Sequence, residues 1–303
     1  MIAAFLFLAA QADPAMNWFD VTKSSFAIYN IKDTARRGMD CLKVASSSDG
    51  RKFYGIYHSM QNDVFQLWLA ESNDAKVWKP VRKLDDHAHQ GTIQISPQGK
   101  VVLAWEKDIP GKGNHIHLAF YRSEADMELA NSDKEKDIDR SFSPSAEGTP
   151  SFDQVDWRPK FPQIALGFHY WRNSDVDRQA IGKLDSNWNW TCEKRPSFDE
   201  LIEKFGVRGN IGDRDVFTYK DEYMIIEGMQ TKNDWASWRV YLVNRSKNTC
   251  ELIDVKTPKG SKSFANPNVT IIKDKAYITF FMPSQGNDPS EAGELLYAVD
   301  LKK

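Results

Sequence analysis

Five times along the chain one plan returns: a small or polar lead-in, a strand of alternating pattern, a turn, and a second strand rich in aromatic and β-branched residues. The units begin near Gly38, Gln90, Gly148, Gly209 and Ala265. Their spacing is roughly 50 to 60 residues, somewhat above that of familiar propeller repeats. A unit that cannot bury its own apolar face must stack on its neighbours, so the repeat dictates an array. Each unit offers two further strands. In the first, Val64–Ala70 alternates and Val77–Leu84 returns after a break at Ser72–Ala75. The third has Gln179–Leu184 and Trp188–Glu193 around Asp185–Asn187, and the fourth has Trp238–Val243 and Glu251–Val255 around Arg245–Asn248.

Four strands taken five times predict an all-β fold, a five-bladed β-propeller of four-stranded antiparallel blades. The fifth unit is one strand short, because Leu295–Val299 runs to the end of the chain. Phe26–Ile31 alternates and is expected to supply the missing strand, closing the ring and covering an open edge. A two-sheet sandwich is the rival architecture. Between strands, Glu124–Leu129 reads as a short helix and Lys134–Asp139 as a solvated charge run. Ser197–Gly206 reads as a helix with Ser197 as N-cap, Glu200 three residues on and Gly206 as the stop.

A chain of 303 residues suits one closed all-β unit, expected over 13–303. Ahead of it, Ile2–Ala10 is apolar and Ala10-Gln11-Ala12 fits a small-x-small cleavage pattern, which makes 1–12 a signal peptide and the protein secreted or periplasmic. The apolar run is too short to span a bilayer. With 40 Lys and Arg against 42 Asp and Glu, the net charge of −2 gives no electrostatic basis for a nucleic-acid partner. Cys41, Cys192 and Cys250 are odd in number and lack metal-type spacing. No Gly-rich phosphate loop joins a strand to a helix, so no cofactor is expected.

Two resemblances follow from particular segments. Asp86-His87, the Pro97-Gln98-Gly99 turn, Val101–Trp105 and His117–Ser123 resemble a blade of the BNR-type sialidase-like propeller superfamily. Thr149–Phe152, Phe168–Asn173 and Trp188 are similar in the third unit, and Ser72–Trp78 approximates the Ser-x-Asp-x-Gly-x-x-Trp box of that superfamily. The resemblance implies an exported propeller acting on polysaccharide. Separately, Gly212–Phe217 is similar to the Arg-Asp-Pro-x-x-Phe segment of arabinanase-like and invertase-like five-bladed glycosidases, and Ala146–Pro150 to the Glu-Gly-Pro that carries their general acid. That likeness implies acids at Asp40, Glu147 and Asp215, in the order Asp, Glu, Asp where those families have Asp, Asp, Glu.

In a propeller the innermost strand of each blade starts at the rim of a central funnel. Polar groups just before those strands should therefore converge: Asp40, His87, His89, Glu147, Asp213, Arg214, Asp215, Asn266 and Asn268. Glycoside hydrolysis needs two carboxyl groups flanking the scissile bond. Asp40 and Glu147 are the candidate pair, with Asp215 raising the acid's pKa and Arg214 binding a hydroxyl or carboxylate. A lyase instead needs a base for the proton α to a uronate carboxyl and a cation to neutralise that group, roles open to His87 or His89 with Tyr170 and Arg172. A non-catalytic glycan-binding propeller would stack sugars on Trp171, Trp157 and Trp235. The bland alternative is that rim polar groups cap strands. His115 and His117 could share a zinc ion with His89, but strand histidines are commonly structural and no metal is expected. The leading reading is a glycoside hydrolase with a carbohydrate partner.

Overall fold

The computed structural model describes residues 13–301; the segment 1–12, expected to be a signal peptide, lies outside the described residues. Five separate four-stranded antiparallel sheets follow one another in chain order, which excludes the two-sheet sandwich. The first is β2 (Asp40–Ser46), β3 (Phe53–Gln61), β4 (Val64–Ser72) and β5 (Lys79–Asp86). Next come β6 (Ala88–Ile95), β7 (Val101–Ile109), β8 (Gly113–Tyr121) and β9 (Lys134–Ile138), then β10 (Glu147–Asp156), β11 (Gln163–Arg172), β12 (Val176–Leu184) and β13 (Trp190–Lys194). The fourth blade is β14 (Arg214–Tyr219), β15 (Asp221–Met229), β16 (Trp238–Asn244) and β17 (Thr249–Leu252). The fifth has β18 (Ala265–Ile272), β19 (Lys275–Met282) and β20 (Gly293–Asp300), completed by β1 (Phe26–Ile28).

The closing strand pairs antiparallel with β20, Phe26 opposite Ala298 and Ile28 opposite Leu296. First and last strands thus share a sheet, and β1 covers the edge that β20 would otherwise expose. The segment before β1 strengthens the seam. Tyr223 and Asn244 of the fourth blade both donate to the Asp13 carboxylate, at 2.8 and 2.9 Å.

The apolar faces of neighbouring blades pack on one another. Blades one and two share a layer with Tyr54, Leu67, Leu103 and Trp105; blades two and three share Phe120, Ile164, Phe168 and Trp188. Further layers join blades four and five through Ile225, Val240, Ile278 and Phe280, and five and one through Leu42, Tyr57, Trp78 and Leu296. This ring of sheet-on-sheet layers is the core.

Two local expectations are corrected. Lys134–Ile138 is not a loose charge run but β9, paired with β8. The second helix, α2 (Pro196–Glu203), starts two residues earlier than an N-cap at Ser197 implies, with Arg195 at the N-cap and Pro196 at the first helical position. Proline fits there because its missing N–H would be unpaired anyway. The first, α1 (Glu124–Glu128), is capped by the Ser123 hydroxyl, which accepts from Asp126 N. Ser72–Trp78 forms the turn from β4 to β5. Asp74 Oδ1 accepts the Lys76 and Val77 amides there, and the wholly buried Trp78 donates to the Ala75 carbonyl.

Four of the five innermost strands carry the same irregularity near their start. Register shifts lie between Asp40 and Lys43, His89 and Thr92, Gly148 and Ser151, and Ala265 and Asn268. Within each, one non-glycine residue takes a left-handed conformation: Cys41 (φ 54), Gln90 (φ 53), Thr149 (φ 45) and Asn266 (φ 47). Such bulges bend a strand and re-aim its side chains, at the cost of a sparsely populated backbone geometry.

Candidate active site

Below the bulges, second-strand side chains reach the funnel. His58 lies opposite Asp40, Glu106 opposite His89, and His169 opposite Gly148. Glu227 lies opposite Asp213, whose carbonyl accepts its amide, and Phe281 lies opposite Ala265. These five positions are equivalent by register, one per blade, and four of them are ionisable. Glycines on the inner strands let two carboxyl groups come close. A Cβ on Gly148 would overlap the Glu106 carboxyl, and one on Gly212 would overlap that of Glu227.

Glu106, His169 and Glu227 open onto a cavity of about 490 Å³ at the starts of the inner strands of blades two to five. His89, Asp177 from β12, and three tryptophans (Trp171, Trp235 and Trp238) share its wall. Its size is that of a typical small-ligand site. Gln90 and Asn266 also line it, joined by a 3.0 Å hydrogen bond from Asn266 Nδ2 to Gln90 Oε1.

The three carboxyl groups are treated differently. Glu106 is fully buried, which works against its charge. His89 Nε2 at 3.8 Å, His169, the Asn114 amide and the Thr149 N–H at 2.8 Å outweigh burial and hold its pKa below the ordinary value. Asp177 is displaced the other way, upward, by burial; His169 Nε2 at 3.6 Å opposes the shift and Glu106 adds to it. Among the described residues no hydrogen-bond donor reaches its oxygens. Glu227 is pushed up to about 8, by burial and then by Asp213, although the amides of Asp213 and Asn266 donate to its two oxygens. Thr149 ties the group together, since its amide holds Glu106 and its hydroxyl meets His169 Nδ1. His58 stays neutral, its pKa lowered to about 3 by burial and by His89, and its Nδ1 accepts the Gln90 amide.

Of the residues expected from the sequence, His89, Trp171, Trp235 and Asn266 line the cavity. Asp40 does not; it sits at the start of β2, its carboxyl raised to about 6 by burial. Glu147 is buried and its Oε1 accepts the amides of Ser141, Phe142 and Ser143, organising the loop before β10. Asp215 lies further down the channel, where Asn268 Nδ2 and the Val269 amide donate to its Oδ2 and burial raises it to about 6. Arg214 is 1% exposed and donates to Asp153 Oδ1 at 3.0 Å and to the Gln179 side-chain Oε1 at 3.1 Å, so it bridges blades three and four, and it does not line the cavity.

Tyr170 is packed in the layer between blades two and three, under Lys194. Arg172 is half-exposed at the end of β11, 4.0 Å from Glu203. His87 occupies the turn before β6 in a left-handed conformation (φ 54). None of the three lines the cavity, and neither does Trp157. His115 and His117 meet Asp137 on β9, away from His89. Among the described residues no cluster of His, Cys, Asp or Glu is arranged to hold a metal ion, and no helix is long and apolar enough to cross a membrane.

Glu106, Asp177 and Glu227 were missed by reasoning from strand starts. A signal existed for two of them. Glu106 ends the run Val101–Trp105 and Glu227 ends Tyr223–Ile226, an acid placed at the same point of an apolar second strand in two blades.

No family model and no curated protein matches the chain. Solved structures do share its fold. A thermostable family-43 glycoside hydrolase superposes with a TM-score of 0.58 at 12% identity, covering 89% of this chain and 91% of that one. An α-L-arabinanase from Penicillium chrysogenum, solved with arabinobiose, gives 0.54 at 9% identity over 92% and 99%. A β-xylosidase/α-arabinofuranosidase from a compost microbial metagenome, solved with xylotriose, gives 0.58 at 8% identity over 91% and 94%. These neighbours are glycoside hydrolases by name, and at such identities the likeness is one of fold.

Proposed function

We propose that this protein is a glycoside hydrolase acting on an oligosaccharide or polysaccharide held in the cavity. One observation carries the reading. A single cavity holds one carboxylate fixed in its ionised form, Glu106, and one carboxyl that burial biases toward its protonated form and that no donor occupies, Asp177. Carboxyl groups whose environments push their pKa values apart are the means by which glycosidases divide acid and base roles at one pH. Asp177 is then the general acid that protonates the leaving oxygen, and Glu106 the carboxylate that activates water or attacks the sugar. His169 stands beside both. Exposed Trp171 and Trp235 supply flat apolar faces for the sugar rings. The glycosidase neighbours support the reading at the level of fold. The expected export, resting on residues 1–12, suits an enzyme whose substrate lies outside the cytoplasm.

The lyase alternative requires His87 or His89 together with Tyr170 and Arg172 at one cavity; His89 lines it, and Tyr170 and Arg172 do not. The test is reducing-end release from a panel of neutral, amino and acidic polysaccharides. Asp177→Asn and Glu106→Gln should each lower the rate by about 10² to 10⁴-fold, with sugar binding retained by calorimetry. Binding without cleavage by the unsubstituted protein would make it a glycan-binding propeller, and an unsaturated ultraviolet-absorbing product would make it a lyase.

A further inference from the structure

Hydrolysis as proposed uses Glu106 and Asp177 and leaves the third carboxyl of the cavity without a task. Glu227 belongs to a wall built from a single blade. Across β15 and β16 it lies opposite Val240, so Trp238, two residues before Val240, stands on the same face of the sheet. The short turn Trp235–Ser237 brings a second indole beside it, edge to face with Trp238 at 6.2 Å between centroids. Trp235 is half-exposed, whereas Trp238 is 95% buried and its indole N–H has no partner.

What the wall lacks is a cation. No Lys or Arg among the described residues lines the cavity. Elsewhere in the protein buried acids are neutralised, Asp213 by Lys43 at 2.9 Å and Asp153 by Arg214 at 3.0 Å. A buried carboxyl that shares a cavity wall with two indoles, and on which Lys43, itself paired with Asp213, acts only as a weak counter-charge, has the chemistry of a cation site, because ring quadrupoles and the carboxylate attract the same ligand charge. Asp177, 3.6 Å from His169 Nε2, adds a further carboxyl to the same cavity.

From this wall we infer that the sugar bound in the cavity carries an ammonium group, as a 2-amino-2-deoxyhexose does, with the amine seated between Glu227 and the Trp235–Trp238 pair. The inference rests on the reading of the cavity as a glycan site. It explains why Glu227 is driven up to about 8 in the free protein: burial and Asp213 disfavour its charge, and the compensating charge arrives with the ligand. An N-acetyl or hydroxyl group at the same carbon supplies no such charge, and a uronate adds a repelling one.

The test compares three β-1,4-linked tetrasaccharides that differ only at C2, carrying amine, N-acetyl or hydroxyl, by titration calorimetry on the full chain at pH 6. The amino sugar should bind at least tenfold more tightly than either neutral one, and added salt should erode that preference. Glu227→Gln should abolish the preference. Since that change touches a buried, hydrogen-bonded group, Trp235→Ala on the exposed rim serves as a second variant and should reduce the preference about threefold or more. Equal or tighter binding of a neutral tetrasaccharide overturns the inference, as does binding of none of the three. The hydrolase reading fails on a different result: an amino sugar that is bound and never cleaved leaves the ammonium site standing and removes the reaction.

Discussion

The cavity and the channel lined by Lys43, Thr92, Asp215 and Asn268 share strands β6 and β18 and both hold buried acid, but their charges are settled differently. In the channel Lys43 donates to Asp213 Oδ2 at 2.9 Å and to the Pro267 carbonyl at 3.0 Å. Burial works against the Lys43 charge, and Asp213 and Asp215 outweigh it. Asp215 in turn accepts from Asn268 and Val269. Among the described residues no Lys or Arg lines the cavity with Glu106, Asp177 and Glu227, and Lys43 and Arg178 act on Glu227 and Asp177 from outside it, less strongly than burial. A buried charge is expensive unless paired. The channel satisfies that rule within the protein, so its acids read as structure. The cavity leaves it partly unsatisfied, which is what a site awaiting a ligand does.

The sharpest way to break this contrast is to unpair the channel. Lys43→Met leaves Asp213 without its cation and should cost about 3 to 5 kcal/mol in urea unfolding, as loss of one partner from a buried ion pair does. Adding Asp213→Asn should recover part of that. A cost under about 1 kcal/mol would mean that the channel acids are no better neutralised than those of the cavity.

Why the fold was legible and the site was not follows from the same strands. Period-two patterning survives wherever one face packs on a neighbouring blade, so all five units and the closing strand Phe26–Ile28 could be anticipated from residues such as Phe26 and Ile28. At the outermost position the pattern fails. In β9 the sequence Lys-Glu-Lys-Asp-Ile has a single buried residue, Ile138, and reads as coil. The site was sought at the starts of the inner strands, the correct end of the blades but one layer too far in. Bulges at Cys41, Gln90, Thr149 and Asn266 re-aim those starts, and Gly148 and Gly212 admit carboxyl groups from the strand behind. Glu147 and Arg214 looked like chemistry because sequence carries no burial. Their partners, the loop amides of 141–143 and Asp153, come from segments only the fold brings together.

Within the cavity, pH separates Glu227 from Glu106. Glu227 rises from an ordinary 4.5 to about 8, so between those values the folded protein holds a proton that the unfolded chain has lost. Stability must then fall as pH rises from about 4.5 to 8. Glu106 is displaced downward and contributes with the opposite sign: its stabilisation is present above 4.5 and is lost as pH falls through its lowered folded value. Glu227→Gln should therefore flatten the decline in Tm across pH 5 to 8, by a few degrees at about 2 to 4 °C per kcal/mol. A constant offset is expected as well, since the new amide faces a backbone N–H on one side. Glu106→Gln should leave that slope alone and flatten the acid limb. Equal slopes in the two variants would mean that the cavity acids are as well compensated as Asp213.

The smallest effects divide the two regions most cleanly. Trp171 stands on the cavity rim, 42% exposed, and supports no layer between blades. Trp171→Ala should weaken glycan binding by about tenfold, the upper end of an aromatic contact worth 0.5 to 1.5 kcal/mol. Unfolding free energy should stay within about 0.5 kcal/mol, as at other surface positions. Thr270 is its counterpart in the channel, where its hydroxyl donates to the Val44 carbonyl at 2.6 Å and ties blade five to blade one. Thr270→Ala should cost about 1 kcal/mol of stability, the net worth of one such hydrogen bond, and leave glycan binding unchanged. If both variants moved both measurements, ligand and channel would be energetically coupled through strands β6 and β18, which line both.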